Sequence, residues 1–83
     1  MPEWKFVLDE DAFEFFRTAR GVDRQNLIRA FSDLRTNPMT EGVWQSRDDQ
    51  GRDVQVGVFG KFLIHYWDDL LVKELRIVRI VRR

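Results

Sequence analysis

The spacing of apolar residues changes at Asn37-Pro38, and no other feature constrains the fold of this chain so tightly. Between Ala12 and Leu34 apolar side chains recur every three or four residues, the period of a helix with one buried face. Beyond Pro38 they alternate, the period of a strand. Pro38 itself marks the boundary, because the residue before a proline is pushed out of helical geometry. A chain that separates helical from extended pattern in this way is expected to fold as α+β, with its helices on one face of a sheet.

Within that frame, Trp4 to Leu8 (WKFVL) reads as a short opening strand. Asp9 then suits an N-cap, with Glu10 and Asp11 in the first turn where the helix dipole favours anions. Ala12, Phe13, Phe15, Phe16 and Ala19 recur at helical spacing, and Gly21 supplies a stop. A second helix is expected from about Val22 to Thr36, with Leu27, Ile28, Phe31 and Leu34 as its apolar stripe. Arg24, Arg29, Asp33 and Arg35 fall on its wet side. Two helices joined at one glycine predict an antiparallel hairpin, with Phe13, Phe16 and Phe31 in the core.

The second part predicts a meander. Val43, Trp44 and Gln45 begin a strand that turns at Asp48–Gly51. Arg52 to Phe59 places Val54, Val56 and Val58 on one face. Gly60-Lys61 turns the chain into Phe62 to Trp67, Asp68-Asp69 turns it again, and Leu70 to Val81 reads as a long final strand. The expected architecture is a two-helix hairpin on a twisted, mainly antiparallel sheet of four to five strands, forming one domain over residues 1–83.

Composition narrows the chemistry. With 83 residues and no cysteine, the chain has no disulfides, thiolate metal sites or cysteine nucleophiles, so stability must come from its 43% apolar residues. Lys plus Arg number 14 and Asp plus Glu 14, which argues against nucleic-acid binding by bulk charge alone. The neutrality hides an asymmetry: residues 1–42 carry a net −2 and residues 43–83 a net +2. Lys73, Arg76, Arg79, Arg82 and Arg83 face only Glu74 within the last eleven residues. That end reads either as a local basic surface or as a solvated strand face. No apolar run approaches the length of a membrane span and no leader pattern opens the chain, so a cytoplasmic protein without a membrane partner is expected. One histidine, no cysteine and no glycine-rich phosphate loop leave no metal or cofactor to expect. The carboxylate runs at Asp9–Asp11, Asp48-Asp49 and Asp68-Asp69 fall at a helix start and two turns, where solvation explains them.

Metal-free RNA cleavage needs a base for the 2′-hydroxyl, cations for the developing phosphorane and an acid for the leaving oxygen. His65 is the natural base or acid, although a lone strand histidine is more often structural than catalytic. Tyr66 alternates to the opposite sheet face, so the two share a concavity only if a bulge intervenes. If Phe62, Ile64 and Tyr66 face the helices, Leu63, His65 and Trp67 face away; if the helices cover the other set, His65 is buried with Leu63 and Trp67. On the last strand, regular alternation groups Glu74 and Arg76 with Val78 and Ile80, and Lys73 and Arg79 with Leu75 and Ile77. Neither face is cleanly polar. Lys61, Arg79, Arg82 and Arg83 are candidates for a basic rim that takes phosphate or an acidic partner. The competing reading pairs Arg79 with Asp68, Asp69 or Glu74 and makes Arg47 and Arg52 hairpin decoration.

Lys61 to Asp69 (KFLIHYWDD), followed by Leu75 to Arg83 (LRIVRIVRR), resembles the C-terminal half of the RelE/ParE toxin superfamily. There a strand reading roughly Tyr-Leu-Ile-Phe-Tyr precedes an acidic turn and an Ile-x-Ile-x-Arg-Val strand. Leu34 to Pro38 (LRTNP) resembles the signal that ends the helical hairpin in that family. The resemblance covers about residues 9–83 in element order and is concentrated in identity at 57–83. It implies the toxin of a bacterial toxin–antitoxin system, of the kind associated with plasmid stabilization, bound by a cognate antitoxin in a hetero-oligomer. Two branches differ in chemistry: RelE-like members cut messenger RNA on the ribosome, and ParE-like members are gyrase poisons. This chain has Leu63 where RelE-like strands usually carry Arg, has Arg82 where a histidine often falls, and stops at Arg83 without the tail tyrosine. Those departures favour the ParE-like branch, a growth inhibitor that binds its target through Lys61, Arg79, Arg82 and Arg83. The alternatives are an mRNA interferase using His65, Lys61 and Arg79, and a non-toxic interaction module.

Overall fold

The computed structural model describes residues 5–36, 44–47 and 50–83. The elements run β1 (Lys5–Leu8), α1 (Glu10–Thr18), α2 (Gly21–Thr36), β2 (Trp44–Arg47), β3 (Asp53–Phe59), β4 (Phe62–Asp69) and β5 (Glu74–Arg82). The five strands form one sheet in the order β1-β5-β4-β3-β2. All neighbours are antiparallel except β1 and β5, which run parallel. This order puts β1 and β2 at opposite edges, about 19 Å apart at ordinary strand spacing. The chain between them therefore has to cross the sheet, and α1 and α2 make that crossing over one face.

The helices form the expected hairpin. Asp23, near the start of α2, meets Arg82 at the end of β5, while Phe31 further along α2 meets Phe6 in β1 with ring centroids 5.5 Å apart. Asp9 holds the N-cap position of α1, but its side chain makes no capping hydrogen bond and pairs instead with Arg76 at 3.7 Å. Helix α1 ends at Thr18, before the glycine. Gly21 has φ +57 and opens α2, so its role is to turn the chain into the second helix.

Both helices bury the same stripe geometry. In α1 it is Ala12, Phe15 and Phe16, continued by Ala19 at the C-cap, and in α2 it is Leu27, Ala30, Phe31 and Leu34. Each follows i, i+3, i+4, i+7, which is one helix face. Phe13 and Ile28 each follow the first residue of a stripe, roughly 100° round the helix, and they are exposed at 49% and 51%. Their expected places in the core are corrected by that rotation, and Ala30 takes a place that reading by side-chain size overlooked. Phe16 still packs on Phe31, at 5.6 Å between centroids.

The sheet contributes Phe62, Ile64, Tyr66, Leu75, Ile77 and Ile80 to this core. Tyr66 is almost fully buried, and burial, followed by the nearby Asp68 carboxylate, pushes its phenol above the ordinary 10.0. Gly57 stands opposite Ile64 on the helix-facing side, where a Cβ would come within 2.6 Å of the Phe59 ring. Val54 and Val56 are also buried, but on the other face, since Val56 pairs with His65 and not with a core residue.

Strand β5 contains the departure that matters most. Its ladder with β4 runs Ile80 to Ile64 and Arg79 to His65, then skips, so that Tyr66 pairs with Ile77. Val78 is the extra residue of a β-bulge. Regular alternation would have placed Arg79 with Leu75 and Ile77 in the core and put Ile80 outside. The bulge reverses this: Leu75, Ile77 and Ile80 are buried against the helices, while Arg76 and Arg79 share the open face. The apparent mixing of polar and apolar residues on both faces is thereby resolved. The strand also begins at Glu74, so Leu70–Lys73 belong to the β4–β5 turn.

Candidate functional site

The face that the helices leave open carries a shallow cleft of about 190 Å³, lined by Asp11, Ser46, Arg47, Val54, His65, Val78 and Arg79. Its lining includes the cross-strand pair His65–Arg79. The bulge turns both Val78 and Arg79 towards the cleft, which a regular strand could not do with consecutive residues. Asp11 arrives from α1 because β1 stops at Leu8, opposite Ile77, and α1 starts beside the uncovered stretch of β5.

Electrostatics distinguish the cations here. Arg47 lies 3.5 Å from Asp53, Arg76 lies 3.3 Å from Glu74, and Arg82 lies 2.5 Å from Asp23. Arg79 is exposed and makes no ion pair among the described residues. The alternative pairing of Arg79 with Asp68, Asp69 or Glu74 is overturned by register, since those residues pair at the far end of the β4–β5 ladder. His65 is half-buried, and burial first, then the Arg79 charge, holds its imidazole below the ordinary 6.5. It is therefore neutral at physiological pH, a proton acceptor beside a cation.

A second cationic feature lies on the same face. The Arg52 guanidinium stacks over Trp67 at 4.2 Å and that of Arg76 stands 5.9 Å from the same ring. Arg52 is thus more than hairpin decoration, since it covers an indole of the open face.

The four residues expected to form one basic rim are divided by the fold. Lys61 sits in the β3–β4 turn, where its carbonyl accepts the Arg83 amide at 2.7 Å, so these two adjoin at one end of the sheet. Arg82 points to the helix-covered side, over the Phe62 ring at 5.3 Å and against Asp23. Arg79 is on the opposite face with His65. The structure therefore joins His65 with Arg79, joins Lys61 with Arg83, and commits Arg82 to holding β5 against α2. The expected continuous lip is corrected by strand alternation.

What the cleft can do follows from its contents. It offers a base in His65, a cation in Arg79 for a phosphate or carboxylate, and a hydroxyl in Ser46. Asp11, Ser46 and His65 have the composition of a nucleophilic triad but not its geometry. Ser46 is on β2 and His65 on β4, with β3 between them, which at strand spacing is about 10 Å. Tyr66 alternates away from His65 because the bulge is on β5, so no phenol supplies an acid. Among the described residues no cluster of His, Asp and Glu could hold a metal ion. Asp11, Ser46, Arg47 and Val78 carried no signal in the sequence, since only strand register and the bulge bring them to His65.

No protein-family model matches the chain, and no curated protein matches it. Among solved structures, a chain of the toxin–antitoxin complex RelBE2 from Mycobacterium tuberculosis is similar, with a TM-score of 0.77 and 17% sequence identity. The match covers 99% of this chain and 100% of that one. At such identity the likeness is one of fold, extending over the whole five-stranded sheet and both helices. Among the described residues no helix is long and apolar enough to cross a membrane.

Proposed function

We propose that this chain is the toxin of a toxin–antitoxin pair, a growth inhibitor that acts by binding an essential target and is silenced by a cognate antitoxin. The observation that carries the reading is the Arg79 guanidinium, left without an ion pair among the described residues on the one sheet face that the helices do not cover. An exposed cation beside a neutral imidazole is a contact point for an anionic group of the target. The likeness to a chain of a toxin–antitoxin complex supports the same reading, as does the resemblance at residues 57–83. Binding without chemistry is favoured because, among the described residues, the cleft pairs a base with a cation but positions no acid between them. A gyrase-type target is consistent with that, and Lys61 with Arg83 at the sheet end would form a secondary contact.

A second reading, ribosome-dependent cleavage of messenger RNA, is favoured by one observation: the lowered pKa of His65, which keeps it a base at neutral pH. In that case the ribosome would supply the missing acid or position the reacting hydroxyl. Lys61, which does not line the cleft, would then play no part in the chemistry.

Induced expression is expected to arrest growth, and Arg79→Ala to relieve the arrest while leaving the protein folded. A gyrase-dependent DNA-damage response with intact transcripts supports the binding reading. Transcripts cut at A-site codons, with cutting lost in His65→Ala, replace it by the enzyme. Absence of arrest leaves the third reading, a non-toxic interaction module.

A further inference from the structure

The cleft on the open face holds an acid as well as a cation. Asp11 and Arg79 line it together, both are exposed, and neither makes an ion pair among the described residues. The charges around them are already matched. Arg47 lies 3.5 Å from Asp53, Arg76 lies 3.7 Å from Asp9, and Arg17 lies 2.7 Å from Glu14. Glu10 is exposed beside Asp11 without lining the cleft, and Lys61 with Arg83 stands away at the sheet end. What the cleft offers a ligand is therefore one positive and one negative group, with no excess of positive charge.

That balance selects the ligand. A nucleic-acid strand gains affinity by having several phosphates neutralised at once, and it carries no cation to answer Asp11. A carboxylate at Arg79 and an ammonium or guanidinium at Asp11 both form charge-assisted hydrogen bonds. At about 190 Å³ the cleft is also smaller than the cavities of about 300–1,000 Å³ that enclose free small molecules, so its ligand is part of a larger surface. We propose that the cleft docks a protein surface on which an acidic and a basic side chain stand together, as do Glu and Lys four residues apart on a helix. The acid meets Arg79 and the base meets Asp11. Asp11 then sets specificity, because it rejects partners that are only anionic. The proposal rests on the reading of the open face as the binding surface, and it names the kind of target that face takes.

The test titrates the full chain, isotopically labelled, with two alanine-based helical peptides about 18 residues long. One carries a single Glu and a single Lys four residues apart, and the other has Gln in place of the Lys. Saturable shifts at Asp11, Ser46, His65 and Arg79 are expected with both, at about threefold higher affinity for the Lys peptide, as for one exposed ion pair. Asp11→Asn is expected to remove that difference, and Arg79→Gln to weaken both peptides. Unchanged resonances of the helix-covered core verify that each variant is folded. A uridylate oligonucleotide of about ten residues is expected to bind more weakly than the Lys peptide, and to gain affinity in Asp11→Asn that added salt removes. Equal affinity for the two peptides overturns the proposal, as does binding of neither. So does tighter binding of the oligonucleotide than of the Lys peptide. A chain that arrests growth but does not distinguish the peptides loses this inference and keeps the toxin reading. One that prefers the Lys peptide but never arrests growth keeps the inference about its cleft and loses the toxin reading.

Discussion

At Gly57 a β-carbon would lie 2.6 Å from Cε2 of Phe59 and 3.3 Å from Cε1 of Tyr66. Tyr66 is fully enclosed and cannot retreat, so relief must come from the half-buried Phe59 ring. Gly57→Ala is accordingly expected to lower stability by about 1–3 kcal/mol in urea unfolding, the usual cost of overpacking. In a Phe59→Leu background the same substitution should cost less, and additivity of the two changes would mean that the rings do not compete for this space. Side-chain chemistry at this scale was partly legible. His65 was readable as the sole imidazole and Arg79 as one of five clustered cations, but nothing local said that they stand opposite each other. Arg82 looked like a target contact for the same reason as Arg79, and its place on the helix-covered face, paired with Asp23, separates them.

Strand β5 shows how one extra residue decides what a whole element presents. Its neighbours Val78 and Arg79 both lie on the open side, after which alternation resumes with Ile80 inside. Deleting Val78 is therefore expected to leave a regular strand with Leu75, Ile77 and Ile80 still buried, and hence a chain that unfolds cooperatively. Circular dichroism with urea titration checks this, and loss of the cooperative transition in the Val78 deletion would refute this register. The helices were more legible than the strand. Their stripes obey a fixed rotation per residue, so the misplacement of Phe13 and Ile28 was a matter of weighing bulk over angle. The bulge has no comparable sequence signal, because Val78 is as suited to a regular strand as to this one.

Across the whole molecule, the sheet separates a helix-covered face that carries the main core from an open face that carries the titrating group. His65 binds a proton less readily folded than unfolded, so the unfolded chain takes up protons first as pH falls. Stability is then complete above the ordinary value of 6.5 and declines as pH drops through it towards the lowered folded value. The urea midpoint is expected to fall between about pH 7.5 and about pH 5.5, a window above the carboxylate range. His65→Gln is expected to flatten that dependence, and a slope unchanged by the substitution would place its origin elsewhere. The same protonation adds charge beside Arg79, so an anionic ligand of the cleft is expected to bind more tightly at the acidic end.

Amino-acid order alone determined the α+β class, the strand–helix–helix–meander sequence and the division of β4 into the sets Phe62, Ile64, Tyr66 and Leu63, His65, Trp67, because these follow from local periods of 3.6 and 2 and from turn chemistry. Only packing decided that the first set faces the helices. Tertiary structure decided which cations are free, since an ion pair such as Arg82–Asp23 joins residues fifty-nine apart in the chain. It also decided that Arg79 leaves the core for the cleft. Pairing with β4 selects the register, and a register that buries Ile77 and Ile80 together requires Val78 to stand unpaired between them.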